Sequence, residues 1–124
     1  MTKVALLAVD ENASIDMHRL EEIVSELGES AAAQVIGAAL EQLALALTRT
    51  AEAAERAELA TTTLAEQLAR LAWQVGLVTL AGVAIDVGHC AERRDMAALA
   101  ATTARLRRIG NQSLTRIWDD PEPE

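Results

Sequence analysis

The chain has few of the residues that build disulfides, aromatic pockets or phosphate loops. Its 124 residues include one Cys, two Trp, two Pro and no Tyr or Phe. The single thiol, Cys90, cannot form an internal disulfide, which fits a reducing compartment, so we expect a cytoplasmic protein. Aromatic residues make up only 2%, and the six glycines are scattered. Neither a large aromatic-lined ligand site nor a glycine-rich phosphate loop is therefore expected.

Positive charge is also scarce. Eleven Lys and Arg stand against 19 Asp and Glu, which gives a formal net charge of −8. Nucleic-acid binding needs a basic surface that neutralises phosphates, and anionic membranes attract basic segments for the same reason. We therefore expect neither partner. The N-terminal apolar run is short, and no unbroken run reaches the roughly 18 apolar residues of a spanning helix, so no secretory leader or membrane span is expected.

The residues that are abundant favour helices. Alanine is the commonest residue, and Leu, Glu and Arg are also frequent. These residues are strong helix formers, whereas sheets prefer β-branched and aromatic side chains. A chain of this length buries roughly two-thirds of its unfolded surface, enough for one core. We predict a single domain over 1–118 and an acidic, disordered tail over 119–124.

The first two helices follow from caps and apolar spacing. The first is predicted over 16–27, with Asp16 as its N-cap and Gly28 as its C-terminal cap. Ser30 is predicted to cap a long second helix that fades near residue 57. Gly37 within that helix is expected to mark a close helix crossing. The apolar stripe of the second helix is Val35, Ile36, Ala39, Leu40, Leu43 and Leu47.

Three more helices follow with very short links. The third ends at Gly76, the fourth follows directly, and Asp95 caps a fifth whose stripe continues to Trp118. Short links require antiparallel neighbours. The prediction is an all-α, antiparallel up-down four-helix bundle with a short extra N-terminal helix. Residues 1–14 are expected to form an arm that orders on contact, or a short strand-like lead.

The third helix carries the main candidate binding surface. Its apolar stripe is Leu64, Leu68, Leu71, Ala72 and Val75. Glu66, Ala69, Arg70 and Trp73 are expected on the opposite side. An exposed Trp is costly in water, and Trp is enriched at binding hot spots. A structural role for Trp73, packing on the first helix or on a second copy, is equally open. For Glu66, an ion pair with Arg70 or a capping box with Thr63 is more common than a functional carboxylate.

The residues that could ligate metal or act as nucleophiles do not converge. His18 and His89 lie far apart, and no metal-ligand spacing is present. His89 and Cys90 are adjacent, so on a helix they point about 100° apart. Asp86, His89 and Cys90 are expected to point more outward than the apolar face of the fourth helix, with Cys90 as a small, semi-buried residue. We expect no metal, no cofactor and no enzymatic activity.

Three segments of the third, fourth and fifth helices match successive parts of one known sequence pattern. The chain reads LAEQLAR at 64–70, VGLVTL at 75–80 and RDMAAL at 94–99. This pattern resembles the histidine-phosphotransfer (HPt) domain of bacterial phosphorelays, which carries L-A-H-x-L-K-G, then a Gly-Leu turn, then G-D-x-x-A-L. The resemblance implies an HPt-like bundle in two-component signalling. It implies a response-regulator receiver domain or a histidine kinase as the partner.

The site residues depart from the family pattern. Glu66 stands at the phosphoacceptor His position, Ala69 at the Lys position and Arg70 at the Gly position. A carboxylate repels an incoming phosphoryl group, and the missing Lys removes a cation that could offset the charge. The resemblance therefore implies docking without transfer. The docking residues are Glu66, Gln67, Ala69, Arg70 and Trp73. A register shifted by seven residues places Trp73 at the acceptor position but needs a deletion before Leu80.

Two other functions stay open. His89 is expected at a similar height to Glu66 on the neighbouring antiparallel helix, which would suit an active phosphotransfer protein that uses His89. The chain could instead be an unrelated helical bundle that serves as a homodimer or scaffold.

Overall fold

A computed structural model describes residues 13–119 of the chain. Within that range the protein is all-helical, with no strand. The five helices are α1 Met17–Leu27, α2 Glu29–Glu55, α3 Thr61–Gln74, α4 Val78–Arg93 and α5 Met96–Asp119. The prediction of an all-α fold is confirmed. The first twelve residues of the expected N-terminal arm and residues 120–124 of the expected acidic tail lie outside the described residues, whereas Asp119 ends α5.

Helices α2 to α5 form a closed ring. Each packs on the next along the chain, and α5 packs back on α2, while α1 packs on α2. Contacts between α2 and α5 run in opposite directions along the two helices, since Glu55 pairs with Arg107 whereas Leu47 lies against Gly110. The molecule is therefore a helical bundle with neighbouring helices antiparallel, as the short links require.

Leucine and isoleucine side chains fill the interior of the ring. The largest apolar side chains with almost no exposure are Leu43, Leu68, Leu77, Leu80, Leu106 and Ile109. The four buried hydroxyl groups among residues 13–116 all donate hydrogen bonds to backbone carbonyl oxygens. The donors are Thr50, Thr61, Thr103 and Ser113. No buried polar side-chain atom is left without a partner among the described residues, as expected for a well-formed core.

Most helix ends lie where the capping residues indicate. The Asp16 carboxylate accepts from the Arg19 amide at 3.3 Å and begins α1, and the Asp95 carboxylate accepts from the Ala98 amide at 3.1 Å. The prediction that Ser30 caps α2 is wrong. Gly28, at φ 85°, ends α1 and begins α2 directly, so Ser30 already lies inside the first turn.

The close helix crossing lies at a different glycine from the one expected. Nothing lies within 4 Å of the position that a Cβ would take at Gly37. At Gly110 a Cβ would lie 2.8 Å from Cδ1 of Leu47, so α2 and α5 approach closely there. On the other side of the ring, a Cβ at Gly88 would lie 3.5 Å from that of Ala65, where α3 and α4 meet.

The segment just before α1 is ordered by contacts with α4 and α5. The Ala13 amide donates to Oε1 of Gln112 at 2.8 Å, and Nη1 of Arg116 donates to the Ala13 carbonyl at 2.9 Å. The Ser14 amide donates to Oγ1 of Thr79 at 2.8 Å. These hydrogen bonds hold the last two residues of the predicted arm against α4 and α5.

Helix α2 meets the criterion for a membrane-spanning helix, although the sequence analysis expected no such span. By length and composition it could cross a membrane, with a mean hydropathy of 1.4 over its most apolar window. Glu41 interrupts the apolar run of α2, so a search for unbroken apolar runs does not detect this helix. Core helices of water-soluble proteins meet the same criterion. Only 22% of the window is buried in this fold, however, so much of its apolar surface faces outward.

Candidate functional site

The buried face of α3 is rotated relative to the leucine stripe. Its buried residues are Thr61, Ala65, Leu68, Ala69 and Ala72, while Leu64 and Leu71 are only half-buried. The expectation that Ala69 belongs to the exposed surface is wrong, because Ala69 is 6% exposed and lies in the core cluster. Small side chains at Ala65 and Gly88 let α4 come close, which turns the alanines of α3 inward.

Three predicted site residues form one exposed row, which we call the α3 ridge: Glu66, Arg70 and Trp73. Their spacing of i, i+4 and i+7 places them on one side of the helix. The Trp73 side chain is 53% exposed, the most exposed large apolar residue on α3. Gln67 is also exposed but lies about 100° around the helix from Glu66.

The alternative structural roles of Glu66 are not seen. Across residues 13–119, Glu66 forms no ion pair with Arg70 and no hydrogen bond that caps α3. Helix α3 begins after Ala60 without a side-chain cap. Helix α1 does reach the end of α3, since Nε of Arg19 donates to the Gln74 carbonyl at 2.9 Å. The neighbouring Trp73 nevertheless keeps half of its surface in solvent, so the ridge is free to make contacts.

Glu66 also borders a small cleft between α3 and α4. The cleft has a volume of about 120 Å³, and His89, Ile85 and Glu92 lie on its α4 side. Thr62, Ala65, Ala84 and Gly88 complete its lining. The predicted proximity of Glu66 and His89 is thus confirmed to the extent that both side chains border one cleft and both are exposed.

Asp86 and His89 point outward as expected, whereas Cys90 is buried more completely than the semi-buried position predicted for it. Cys90 is 7% exposed, and its Sγ lies 3.6 Å from Oγ1 of Thr102. The reason is that α5 packs on this side of α4. His18 lies on α1, where its Nε2 is 3.5 Å from Oε2 of Glu22. No group of three His, Cys, Asp or Glu side chains that could hold a metal ion occurs in the part of the chain that the structure describes.

Two larger clefts were not anticipated from the sequence. They lie at the end of the bundle where α2 meets α3 and α4 meets α5, and the first shares Thr62 and Glu92 with the cleft beside Glu66. They have volumes of about 340 and 380 Å³ and share Ala57, Met96 and Leu99 in their walls. Leu59 and Met96, which are 85% and 50% exposed, border this end. In the sequence, each of these two is simply a large apolar residue next to a helix link. That pattern does not show whether the side chain is exposed or buried.

One ion pair joins the long helices near the second of these clefts. Nε and Nη2 of Arg107 donate to Oε2 and Oε1 of Glu55 at 2.7 and 2.9 Å. These hydrogen bonds from the guanidinium hold the pKa of Glu55 below its ordinary value and raise the pKa of Arg107. Such a two-pronged pair fixes geometry as well as charge. The ion pair links α2 to α5 and does not involve the α3 ridge.

Comparisons with known proteins give no match. No family model fits the chain, and neither the curated proteins nor the solved structures include a significant match. The functional inference therefore rests on the α3 ridge, its exposure and the helical bundle that supports it.

Proposed function

We propose that this chain is an HPt-like docking domain of a phosphorelay, which binds a receiver or kinase domain without transferring phosphate. The observation that carries the proposal is the 53% exposed Trp73, in one row with Glu66 and Arg70 above a buried helix face. A large amphipathic ring beside two opposite charges is the composition of a protein-binding hot spot. The bundle, the Gly76 turn and the Asp95 cap support the resemblance from which the partner class is taken.

Two features of α3 favour docking over transfer. Glu66 stands exposed where the resemblance places the acceptor imidazole, and its negative charge opposes the approach of a phosphoryl group. Residue 69, where the resemblance places a lysine, is 6% exposed. A cation there would have to be taken out of water, which is costly without a partner. Arg70 supplies positive charge to a docking partner instead.

Binding measurements with a panel of purified receiver and kinase domains test this proposal. We expect at least one domain to bind, and Trp73→Ala to weaken that binding by at least about tenfold, as for a hot-spot residue. Leu59→Ala is the matched control, because it also removes an exposed large apolar side chain but lies outside the ridge. Equal weakening by both variants, or no binding by any phosphorelay domain, would contradict the proposal.

The shared cleft favours a second candidate function, an active carrier that uses His89. A phosphoryl group would leave a receiver aspartate as its P–O bond breaks, a P–N bond to the imidazole would form, and the ring proton would pass to solvent. Incubation with a radiolabelled phosphorylated receiver separates the two functions. Acid-labile, base-stable label that is lost in His89→Ala and kept in His18→Ala would establish transfer and overturn docking without it.

A further inference from the structure

The cleft between α3 and α4 has an apolar floor. Ala65, Ala84 and Gly88 line it and are buried, and a Cβ at Gly88 would lie 3.5 Å from that of Ala65. The side chain of Ile85, which is 40% exposed, borders this floor. The volume of about 120 Å³ is below the roughly 300–1,000 Å³ of pockets that hold drug-sized ligands. The cleft therefore suits a single side chain of another molecule.

Two carboxylates border this floor from different helices, Glu66 on α3 and Glu92 on α4. Both side chains are exposed, and neither forms an ion pair within residues 13–119. The lining that the structure describes includes no lysine or arginine, and His89 is its one other titratable residue. Arg94 lines the adjoining larger cleft, which shares Glu92, but forms no ion pair with that carboxylate in the described part of the chain. The cleft thus presents two negative charges that no side chain of this fold neutralises.

An apolar floor between two carboxylates suits a cation on an aliphatic stem. Lysine and arginine side chains lay their methylene groups along apolar surface and keep the charged end in water. Here the stem would lie on the floor, with the charged end between Glu66 and Glu92. A bare metal ion fits less well, because no three His, Cys, Asp or Glu side chains among the described residues are grouped so that they could hold one. A purely apolar group would cover the carboxylates without a counter-charge, which is costly.

We propose that this cleft receives a lysine or arginine side chain of the docking partner. The inference rests on the proposed function, because Glu66 belongs to both the α3 ridge and the cleft, and it names what a docking domain presents there. Trp73 offers apolar contact area to any partner, whereas the cleft adds a requirement for positive charge. Charge complementarity of this kind contributes specificity and rapid encounter more than affinity.

Solution NMR of the full chain with n-butylammonium tests the cleft by itself, since this probe has the stem and charge of a lysine side chain. We expect saturable shifts of the amide signals of Ala65 and Gly88. n-Butanol, which lacks the charge, and butyrate, which reverses it, should produce no saturable shift at these amides at equal concentration and ionic strength. No saturable response to n-butylammonium, or an equal response to either control compound, overturns the proposal.

Variants separate the charge of the cleft from its shape. Glu92→Gln should raise the dissociation constant of n-butylammonium about two- to fivefold, the range of exposed ion pairs, and Glu26→Gln on α1 should leave it unchanged. Gly88→Ala should raise it about fourfold, the equivalent of one methylene group no longer buried. The added methyl group would make an ordinary contact with Ala65, so the fold is retained. Gly82→Ala, with open space around it, is the matched control. Equal effects of each variant and its control overturn the proposal.

The docking partner provides the second arm of the test. Glu92 lies outside the α3 ridge, yet Glu92→Gln should weaken binding of the receiver or kinase domain about two- to fivefold. A domain that binds through Trp73 but is indifferent to Glu92→Gln overturns the inference and leaves the proposed function standing. Binding of n-butylammonium by a chain that binds no phosphorelay domain supports the cation cleft and contradicts the proposed function.

Discussion

At the scale of single residues, two glycines differ in whether the structure requires them. Gly76 links α3 to α4 with φ at 79°, and its carbonyl accepts from the Asp16 amide at 2.6 Å. A Cβ at Gly76 would lie 2.7 Å from the Asp16 carbonyl oxygen, a backbone atom that cannot move away independently. Gly82 lies exposed within α4, with nothing within 4 Å of the position of a Cβ. One position requires glycine and the other does not.

We predict that Gly76→Ala lowers the free energy of unfolding by roughly 2–4 kcal/mol, from the left-handed backbone and the clash together. Gly82→Ala, the matched control, should raise it by up to about 1 kcal/mol, because alanine has the higher helix propensity. Urea unfolding followed by circular dichroism measures both. Similar effects of the two substitutions would show that the α3–α4 link does not hold the conformation described.

The chemistry of a side chain decides whether its position in the fold could be predicted from the sequence. Asp16 and Asp95 were predicted because a carboxylate before an apolar stripe has one evident use, capping a helix. Ala69 was misplaced, and the burial of Cys90 was underestimated, because small apolar residues suit either face of a helix. Their burial is set by how closely α3 meets α4 and α4 meets α5, which is a tertiary property.

At the scale of helices, the pair between Glu55 and Arg107 makes the packing of α2 on α5 depend on pH. The guanidinium lowers the pKa of Glu55 in the folded state, so folding favours the carboxylate. The stabilisation is present above the ordinary pKa of a glutamate and is lost as the pH falls through the lowered value. Both side chains are about half-exposed, so the effect is small and decreases with salt.

We predict that Glu55→Gln lowers the urea midpoint at neutral pH, and that the difference from the unaltered chain disappears in acid. Unfolding curves at neutral pH and at a pH below the usual glutamate range give the comparison. Glu26→Gln on α1 is the control, since Glu26 is exposed and forms no ion pair among the described residues. A difference of the same size at both pH values would exclude this ion pair as its cause.

The rotation of whole helices was harder to predict than their extent. The apolar stripe of α2 included Val35, which the structure exposes, and that of α3 missed Ala65. Both helices are rich in alanine, which gives a weak signal for orientation. The first and last residues of the helices were predicted more closely, because glycine and capping residues act on the backbone itself.

At the scale of the whole molecule, the four-helix ring and α1 differ in how firmly they are held. Ile23 is the only buried residue of α1. Arg19 and Asp16 tie α1 to the end of α3 and to Gly76 through single hydrogen bonds. The ring helices, in contrast, share a continuous leucine core. Regions with few buried contacts open at lower free energy than the global unfolding.

We predict that the backbone amides of α1 exchange hydrogen faster than those of α4. Arg19→Ala should increase exchange in α1 further and leave α4 unchanged, because it removes the hydrogen bond to the Gln74 carbonyl. Hydrogen exchange measured by mass spectrometry gives both rates. Equal protection of α1 and α4 would show that α1 opens only together with the ring.

The burial of Cys90 has a practical consequence for following this molecule in solution. It is the only thiol in the chain and is 7% exposed. A cysteine introduced at the exposed position 67 would therefore be the one sulfur readily alkylated under native conditions. A fluorophore attached there would report on the surroundings of the ridge from a single site, without removal of the native sulfur.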